Sequence, residues 1–138
     1  MVTHIFTVKG EPHGKGRPRF SSRGGHVHTY TPDTTAVYEQ EIGLRYKAKY
    51  PKLHGDITIR VFAYYGIPKK TSRKDRALML DGFINPEKKP DIDNVIKSVL
   101  DGLNGIAYDD DKQVIDVRGV KMYSENPRIE VMVGGQSD

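Results

Sequence analysis

Residues 91–104 place the strongest constraint on the fold, because their apolar side chains recur with the period of an α-helix. At 100° per residue, the apolar side chains fall on one helix face and the charged side chains on another. The apolar face consists of Val95, Ile96, Val99, Leu100 and Leu103. On the polar face Asp93 and Lys97 are neighbours four positions apart, and Asp91 lies at the helix entrance. The segment predicts a helix that packs one face into a core and presents charge on the other.

Residues 56–65 have the period of a β-strand, with apolar or aromatic side chains at every second position from Ile57 to Tyr65. Before this strand, the sequence predicts a strand over 4–9, a long basic loop, and a helix that is capped by Thr31 or Asp33 and ends near Tyr46. After it, we expect a short helix that is capped by Thr71 or Ser72 and ends near Leu80. A hairpin of residues 113–123 with 128–133 is expected near the end of the sequence. These elements predict a single α+β domain over residues 1–138, with a small mixed or antiparallel sheet and about three helices.

Composition excludes several classes of protein. The 138 residues include no cysteine, which rules out a disulfide framework, and no apolar run approaches the roughly 20 residues of a membrane helix. The N-terminus lacks the charged start and long apolar stretch of a signal peptide. We therefore expect a cytoplasmic protein with no membrane partner.

The net charge of +4 is concentrated near the N-terminus, since residues 1–31 hold five basic residues and one acidic residue, whereas the rest of the chain holds 17 of each sign. This first basic cluster includes Lys15, Arg17, Arg19 and Arg23. A second basic cluster consists of Lys69, Lys70, Arg73, Lys74 and Arg76. Each cluster taken alone could be a solvated surface, but two of them beside an acidic site favour contacts with phosphates.

Acidic residues gather in two short segments, Asp91-Ile92-Asp93 and Asp109-Asp110-Asp111. Clustered carboxylates raise one another's pKa unless a cation is shared, so their grouping indicates a metal site at the start of the helix 91–104. Oxygen ligands without cysteine favour Mg²⁺, with Mn²⁺ as the alternative. Structural interpretations stay open: Asp91 as a helix cap, Asp93 and Lys97 as a surface ion pair, and the triple aspartate as a solvated turn.

The motif Asp91-x-Asp93-Asn94-x-x-Lys97, followed by Asp101 and by an acidic pair before Gln113-Val114, resembles the RusA family of Holliday junction resolvases of bacteria and their prophages. The opening segments Gly14-Lys15-Gly16-Arg17-Pro18-Arg19 and Tyr30-Thr31-Pro32 are also similar to that family. The resemblance implies a small α+β homodimer that cuts four-way DNA junctions with magnesium, using three aspartates and a lysine.

Carried over to this sequence, the resemblance implies that Asp91, Asp93, Lys97 and Asp111 are catalytic, with Asp110 as the alternative to Asp111. The three aspartates would bind the metal, and Lys97 would stabilise the pentavalent phosphate or orient the attacking water. Both basic clusters would bind the DNA backbone.

Two other functions share these features: a non-catalytic DNA-binding module, and a metal nuclease acting on flaps or ordinary duplex. For the resolvase, paired nicks require two sites and hence a homodimer. The expected interface is the strand 57–65 or the C-terminal hairpin with Ile129, Val131 and Val133.

Overall fold

The computed structural model describes residues 1–15 and 34–138 with their side chains, and residues 19–23, 26–30 and 33 by their backbone alone. In chain order the elements are β1 (Val2–Lys9), β2 (Arg19–Arg23), β3 (His26–Tyr30), α1 (Asp33–Lys47), β4 (His54–Gly66), α2 (Arg73–Leu80), α3 (Ile92–Leu103), a short 3₁₀-helix (Asp111–Gln113), β5 (Val114–Ser124) and β6 (Arg128–Gln136). These three α-helices and a four-stranded mixed sheet confirm the predicted α+β class.

The main sheet has the strand order β1-β6-β4-β5, in which β4 pairs antiparallel with β6 and parallel with β5. The predicted hairpin is therefore wrong, because β4 lies between β5 and β6. β4 has 13 residues and buries Ile57, Ile59 and Val61 on one face. Because it lies at a central position in the sheet, β4 pairs with β6 along one edge and with β5 along the other. Residues 125–127 connect β5 to β6 and therefore pass the end of β4. The distance that they span is two strand spacings, or about 10 Å.

Helices α1 and α3 cover one face of this sheet and enclose the core. Val95, Val99 and Leu103 of α3 are fully buried, which confirms the amphipathic helix predicted from the sequence. The two helices approach closely at Gly102, where a Cβ atom would lie 2.8 Å from the carbonyl oxygen of Glu39. A larger side chain there would push α1 away from α3.

The apolar residues expected at a dimer interface lie inside the protomer instead. Ile57 to Tyr65 at alternate positions, and Ile129, Val131 and Val133, are each at most 1% exposed. Both candidate strands thus use their apolar face to complete the core beneath α1 and α3, so that expectation about the interface is wrong.

Part of the segment expected to be a basic loop is an antiparallel ribbon, in which β2 pairs with β3 from Arg19 with Tyr30 to Arg23 with His26. Gly24-Gly25 between the two strands is a hairpin signal that the sequence analysis passed over. Arg17 and the side chains of Arg19 and Arg23 lie outside the described part of the chain.

Candidate active site

The site begins where the chain enters α3, and this entrance is tied to the sheet. The hydroxyl of Tyr65 donates to the carbonyl oxygen of Pro90, and Lys121 Nζ donates to the carbonyl oxygen of Lys88 at 2.7 Å. Burial, followed by the charges of Asp91 and Glu11, raises the pKa of Tyr65 to about 12, so its hydroxyl keeps the donated proton. These bonds hold the backbone immediately before Asp91 at the edge of the sheet.

Asp91 occupies the N-cap position of α3, yet its side chain makes no capping hydrogen bond. Asp93 follows in the first turn, and both side chains are exposed. Within the described residues, neither carboxylate has a hydrogen bond or ion pair. Asp91 thus does not make the side-chain hydrogen bond that a purely capping role would require. Because no described residue binds either carboxylate, both could bind an external cation.

Lys97 is exposed one turn beyond Asp93 on the same face of α3. No ion pair joins these two side chains among the described residues, although their spacing would permit one. The surface ion pair considered from the sequence is thus not observed. Lys97 thus presents an ammonium that no described residue pairs with.

A cleft of about 620 Å³ lies beside Asp91, and Pro12, His13, Gly14, Lys15, Lys89, Pro90, Asp91 and Asn94 line it. Gly14 allows the N-terminal segment to form one wall, because a Cβ atom there would lie 2.8 Å from that of Pro90. The backbone N–H of Lys15 donates to the carbonyl oxygen of Asn94 at 2.9 Å and fixes the same wall. Lys89 also lines the cleft and adds an exposed cation near Asp91. Lys89 was not among the residues predicted from the sequence, because the cleft that it lines is formed only in the folded chain.

The three consecutive aspartates have three different environments. Asp109 pairs with Lys52 at 2.9 Å, and this hydrogen bond lowers its pKa. Asp110 caps the 3₁₀-helix, since its side chain accepts from the backbone N–H of Lys112 at 2.9 Å and Gln113 completes a capping box. Asp111 alone accepts from the buried Tyr108 hydroxyl, at 2.8 Å through Oδ1. The solvated turn expected as an alternative thus does not describe Asp111.

The surroundings of Asp111 raise the pKa of its carboxyl above the usual value for aspartate. Burial raises its pKa, the bond from Tyr108 opposes this, and the charges of Asp101 and Asp110 raise it further. A cation bound near this carboxylate would remove that repulsion. Asp110 thus serves as a helix cap, whereas Asp111 contacts Tyr108.

The aspartates stand at opposite ends of α3. Asp111 lies near the C-terminal end, because Tyr108 contacts both Asp111 and the carbonyl oxygen of Leu100. Asp91 and Asp101 are separated by about 15 Å of helix at 1.5 Å per residue. Across the described part of the chain, no three or more His, Cys, Asp or Glu side chains are close enough to hold one metal ion. The structure thus offers Asp91 and Asp93 as one group and Asp111 as another.

The donor chemistry of the first group suits Mg²⁺. This ion commonly takes one or two protein carboxylates and completes its shell with water and substrate phosphate. Asp91 and Asp93 supply two carboxylates without a partner among the described residues, and Asp91 lines the cleft.

Lys15, expected to contact a phosphate, is paired within the protein. Its Nζ lies 2.7 Å from Glu39 Oε1 and 2.8 Å from Asp101 Oδ2. Burial lowers the pKa of Lys15, but the hydrogen bonds and charges of Asp101 and Glu39 outweigh it and raise the pKa overall.

The second basic cluster surrounds the start of α2, which has no buried residue and packs beside β5. Ser72 caps this helix by accepting from the backbone N–H of Asp75 at 3.1 Å, as one of the two predicted caps. Arg76 pairs with Glu125 at 2.8 Å. The exposed members that have no ion pair with another described residue are Lys69, Lys70, Arg73 and Lys74.

Comparison with known proteins assigns the class of this molecule. A family model described as "Endodeoxyribonuclease RusA" matches residues 9–134. The protein is therefore an endonuclease that hydrolyses phosphodiester bonds, and it belongs to the RusA family of Holliday junction endodeoxyribonucleases. It is also similar to the uncharacterized protein YqaN of Bacillus subtilis (strain 168), with 40% identity over 132 residues that cover 93% of each chain. No described helix is long and apolar enough to cross a membrane.

Proposed function

We propose that this protein resolves four-way DNA junctions by paired, symmetric nicks that depend on Mg²⁺, with Mn²⁺ as a substitute, in recombination and repair. The observation that carries the proposal is that Asp91, Asp93 and Lys97 have no hydrogen-bond or ion-pair partner among the described residues. Asp91 lines the cleft together with Lys89, and Asp93 and Lys97 follow on one face of α3.

In this proposal Asp91 and Asp93 hold the metal. Asp111, which the family resemblance also implies as a ligand, lies near the other end of α3, and we propose it as a separate acidic group whose loss also impairs cleavage. The bound ion would neutralise the scissile phosphate and lower the pKa of a water molecule. Lys97 is placed to stabilise negative charge that develops on the phosphate, because it is a cation without a partner among the described residues. Lys89 is placed to hold the incoming strand at the mouth of the cleft.

DNA would be held by the two basic clusters. The basic residues of the N-terminal segment, Arg17, Arg19 and Arg23, and the exposed cations Lys69, Lys70, Arg73 and Lys74 are the proposed backbone contacts, with Arg76 beside them. Such contacts read no bases, so recognition of the junction would depend on its shape.

Paired nicks require two active sites, and one chain contains one motif of this kind. We therefore propose a symmetric homodimer. Its interface must use surfaces other than the buried faces of β4 and β6, which are occupied by the protomer's own helices. The substrate would be met in the bacterial cytoplasm, on host or prophage DNA.

The deciding experiment compares a four-way junction with linear duplexes built from the same strands, each incubated with Mg²⁺ and with EDTA. We expect symmetric nicks in two opposing strands of the junction, little cutting of duplex, and none in EDTA. Equal cutting of the duplex or of a flap would instead indicate a nuclease of broader specificity. Junction binding without cutting in any divalent metal would leave only a DNA-binding module.

A further inference from the structure

The ion pairs of Lys15 join three separate parts of the chain. Lys15 belongs to the N-terminal segment, Glu39 to α1 and Asp101 to α3, and both carboxylates bond the same ammonium at 2.7 and 2.8 Å. All three side chains are shielded in part, with 26%, 19% and 40% of their surface exposed for Lys15, Glu39 and Asp101. This arrangement lies over the closest approach of α1 and α3, next to Gly102.

The backbone around Lys15 is fixed as firmly as its side chain. Its N–H donates to Asn94 of α3, and Gly14 lies against Pro90 and Asn94 at distances that admit no side chain. The next residues along the sequence are Gly16 and Arg17, the beginning of the basic segment. Lys15 is thus the point at which that segment is attached beside the polar face of α3.

Electrostatics argue against Lys15 as a phosphate contact. A phosphate would have to replace two charge-assisted hydrogen bonds, each of a kind roughly twice as strong as a neutral one. Removing the ammonium would also leave Glu39 and Asp101 uncompensated beside Asp111, close to a polyanionic substrate. Lys69, Lys70 and Lys74 of the second basic cluster have neither restriction, since they have no ion pair with another described residue.

We propose that Lys15 is a positioning residue: its backbone N–H attaches the start of the basic N-terminal segment beside α3, and its ammonium is a fixed internal counter-ion for Glu39 and Asp101 that does not contact DNA. This role deepens the proposed function, because it concerns how the same site receives DNA. It differs from the role expected for Lys15 from the sequence.

The test measures binding to a fluorescent four-way junction in EDTA over a range of NaCl concentrations. Lys15→Met should weaken binding about fivefold at every salt concentration and leave the slope of log K against log [salt] unchanged. Lys69→Met is the matched control, since a lost phosphate contact lowers the magnitude of the slope by about 0.9. A slope lowered to the same extent by Lys15→Met would overturn the proposal.

Charge restoration provides the second arm. Lys15→Met combined with Asp101→Asn returns the cluster to its original net charge, and we expect junction affinity within about twofold of the wild type. A double variant that binds as weakly as Lys15→Met alone would show that DNA needs the ammonium itself, and this would overturn the proposal.

A second variant serves if Lys15→Met fails to fold. Glu39→Gln combined with Asp101→Asn releases the ammonium, which should increase both the junction affinity and the magnitude of its salt slope. No change in either quantity would overturn the proposal.

A double-mutant cycle of Lys15→Met and Asp101→Asn, measured by thermal unfolding of the protein without DNA, tests the counter-ion role independently of the proposed function. The two substitutions should be non-additive, because each removes the same ion pair. A wild-type protein that binds no junction while the cycle shows coupling would reject the proposed function alone. Additive substitutions would reject the counter-ion.

Discussion

At the start of α3, Asp91 and Asp93 have no hydrogen-bond or ion-pair partner among the described residues, whereas at its end Asp101 bonds Lys15 and Asp111 bonds Tyr108. The same residue type on or beside one helix is thus open to external cations at one end and compensated internally at the other. A carboxylate with no partner among the described residues can gain a metal without losing a protein bond, so we propose that the metal binds at the start of α3. Substitutions at the two ends should therefore have different consequences.

The largest effect is expected at the open end. Asp91→Asn or Asp93→Asn should reduce Mg²⁺-dependent junction cleavage by about 10³-fold or more, because each removes a ligand charge worth several kcal/mol in the transition state. Junction affinity in EDTA should be unchanged or slightly tighter, since a negative charge facing DNA is lost. Gel assays of cleavage and binding measure both, and Asp75→Asn on α2 is the control. Full cleavage by Asp93→Asn would remove this end of α3 from the site.

A second comparison separates members of the acidic run. Asp111→Asn should also impair cleavage, though less than substitution of Asp91 or Asp93, whereas Asp110→Asn should cleave normally because asparagine is also a good cap. Asp110→Ala should lower the free energy of unfolding by about 1 kcal/mol through loss of that cap. Denaturant unfolding and single-turnover cleavage check the pair. The reverse pattern would assign the functional role to Asp110.

A smaller effect is expected for the cations near the open end. Lys97→Ala should lower the cleavage rate by about 10²-fold with nearly normal junction affinity, since its charge acts on the developing phosphate. Lys89→Ala should mainly weaken substrate binding, because it lies at the cleft mouth. Rates measured over a series of junction concentrations distinguish the two. A binding defect in Lys97→Ala equal to its rate defect would make Lys97 another backbone contact.

The smallest effect concerns stability at the compensated end. The pKa of Asp111 is raised in the folded protein, so its ionised form costs stability above that pKa, and the cost disappears below the unfolded value. Asp111→Asn should therefore unfold at a slightly higher temperature than the wild type at pH 7, with the difference shrinking as the pH falls through the raised pKa of Asp111 towards the value in the unfolded chain. Calorimetry without divalent metal measures this. A variant less stable at pH 7 would mean that the bond from Tyr108 outweighs burial and repulsion.

Local patterns in the sequence determined the elements around the site. The period of residues 91–104 sufficed for α3 and its buried face, and the alternation of residues 56–65 sufficed for β4, because each pattern reports which side of one element meets the core. The motif from Asp91 to Lys97 likewise indicated the charged face and, through its resemblance, the RusA family that the comparison confirms.

Only the tertiary structure decided how these elements meet. It placed β4 between β5 and β6, brought Lys89 to the cleft and paired Lys15 with two acids from different helices. It also separated Asp109, Asp110 and Asp111 into three roles that their identical side chains could not reveal. The physical reason is the same in each case: strand order, ion pairing and burial depend on residues far apart in the chain, and a local period carries no information about them.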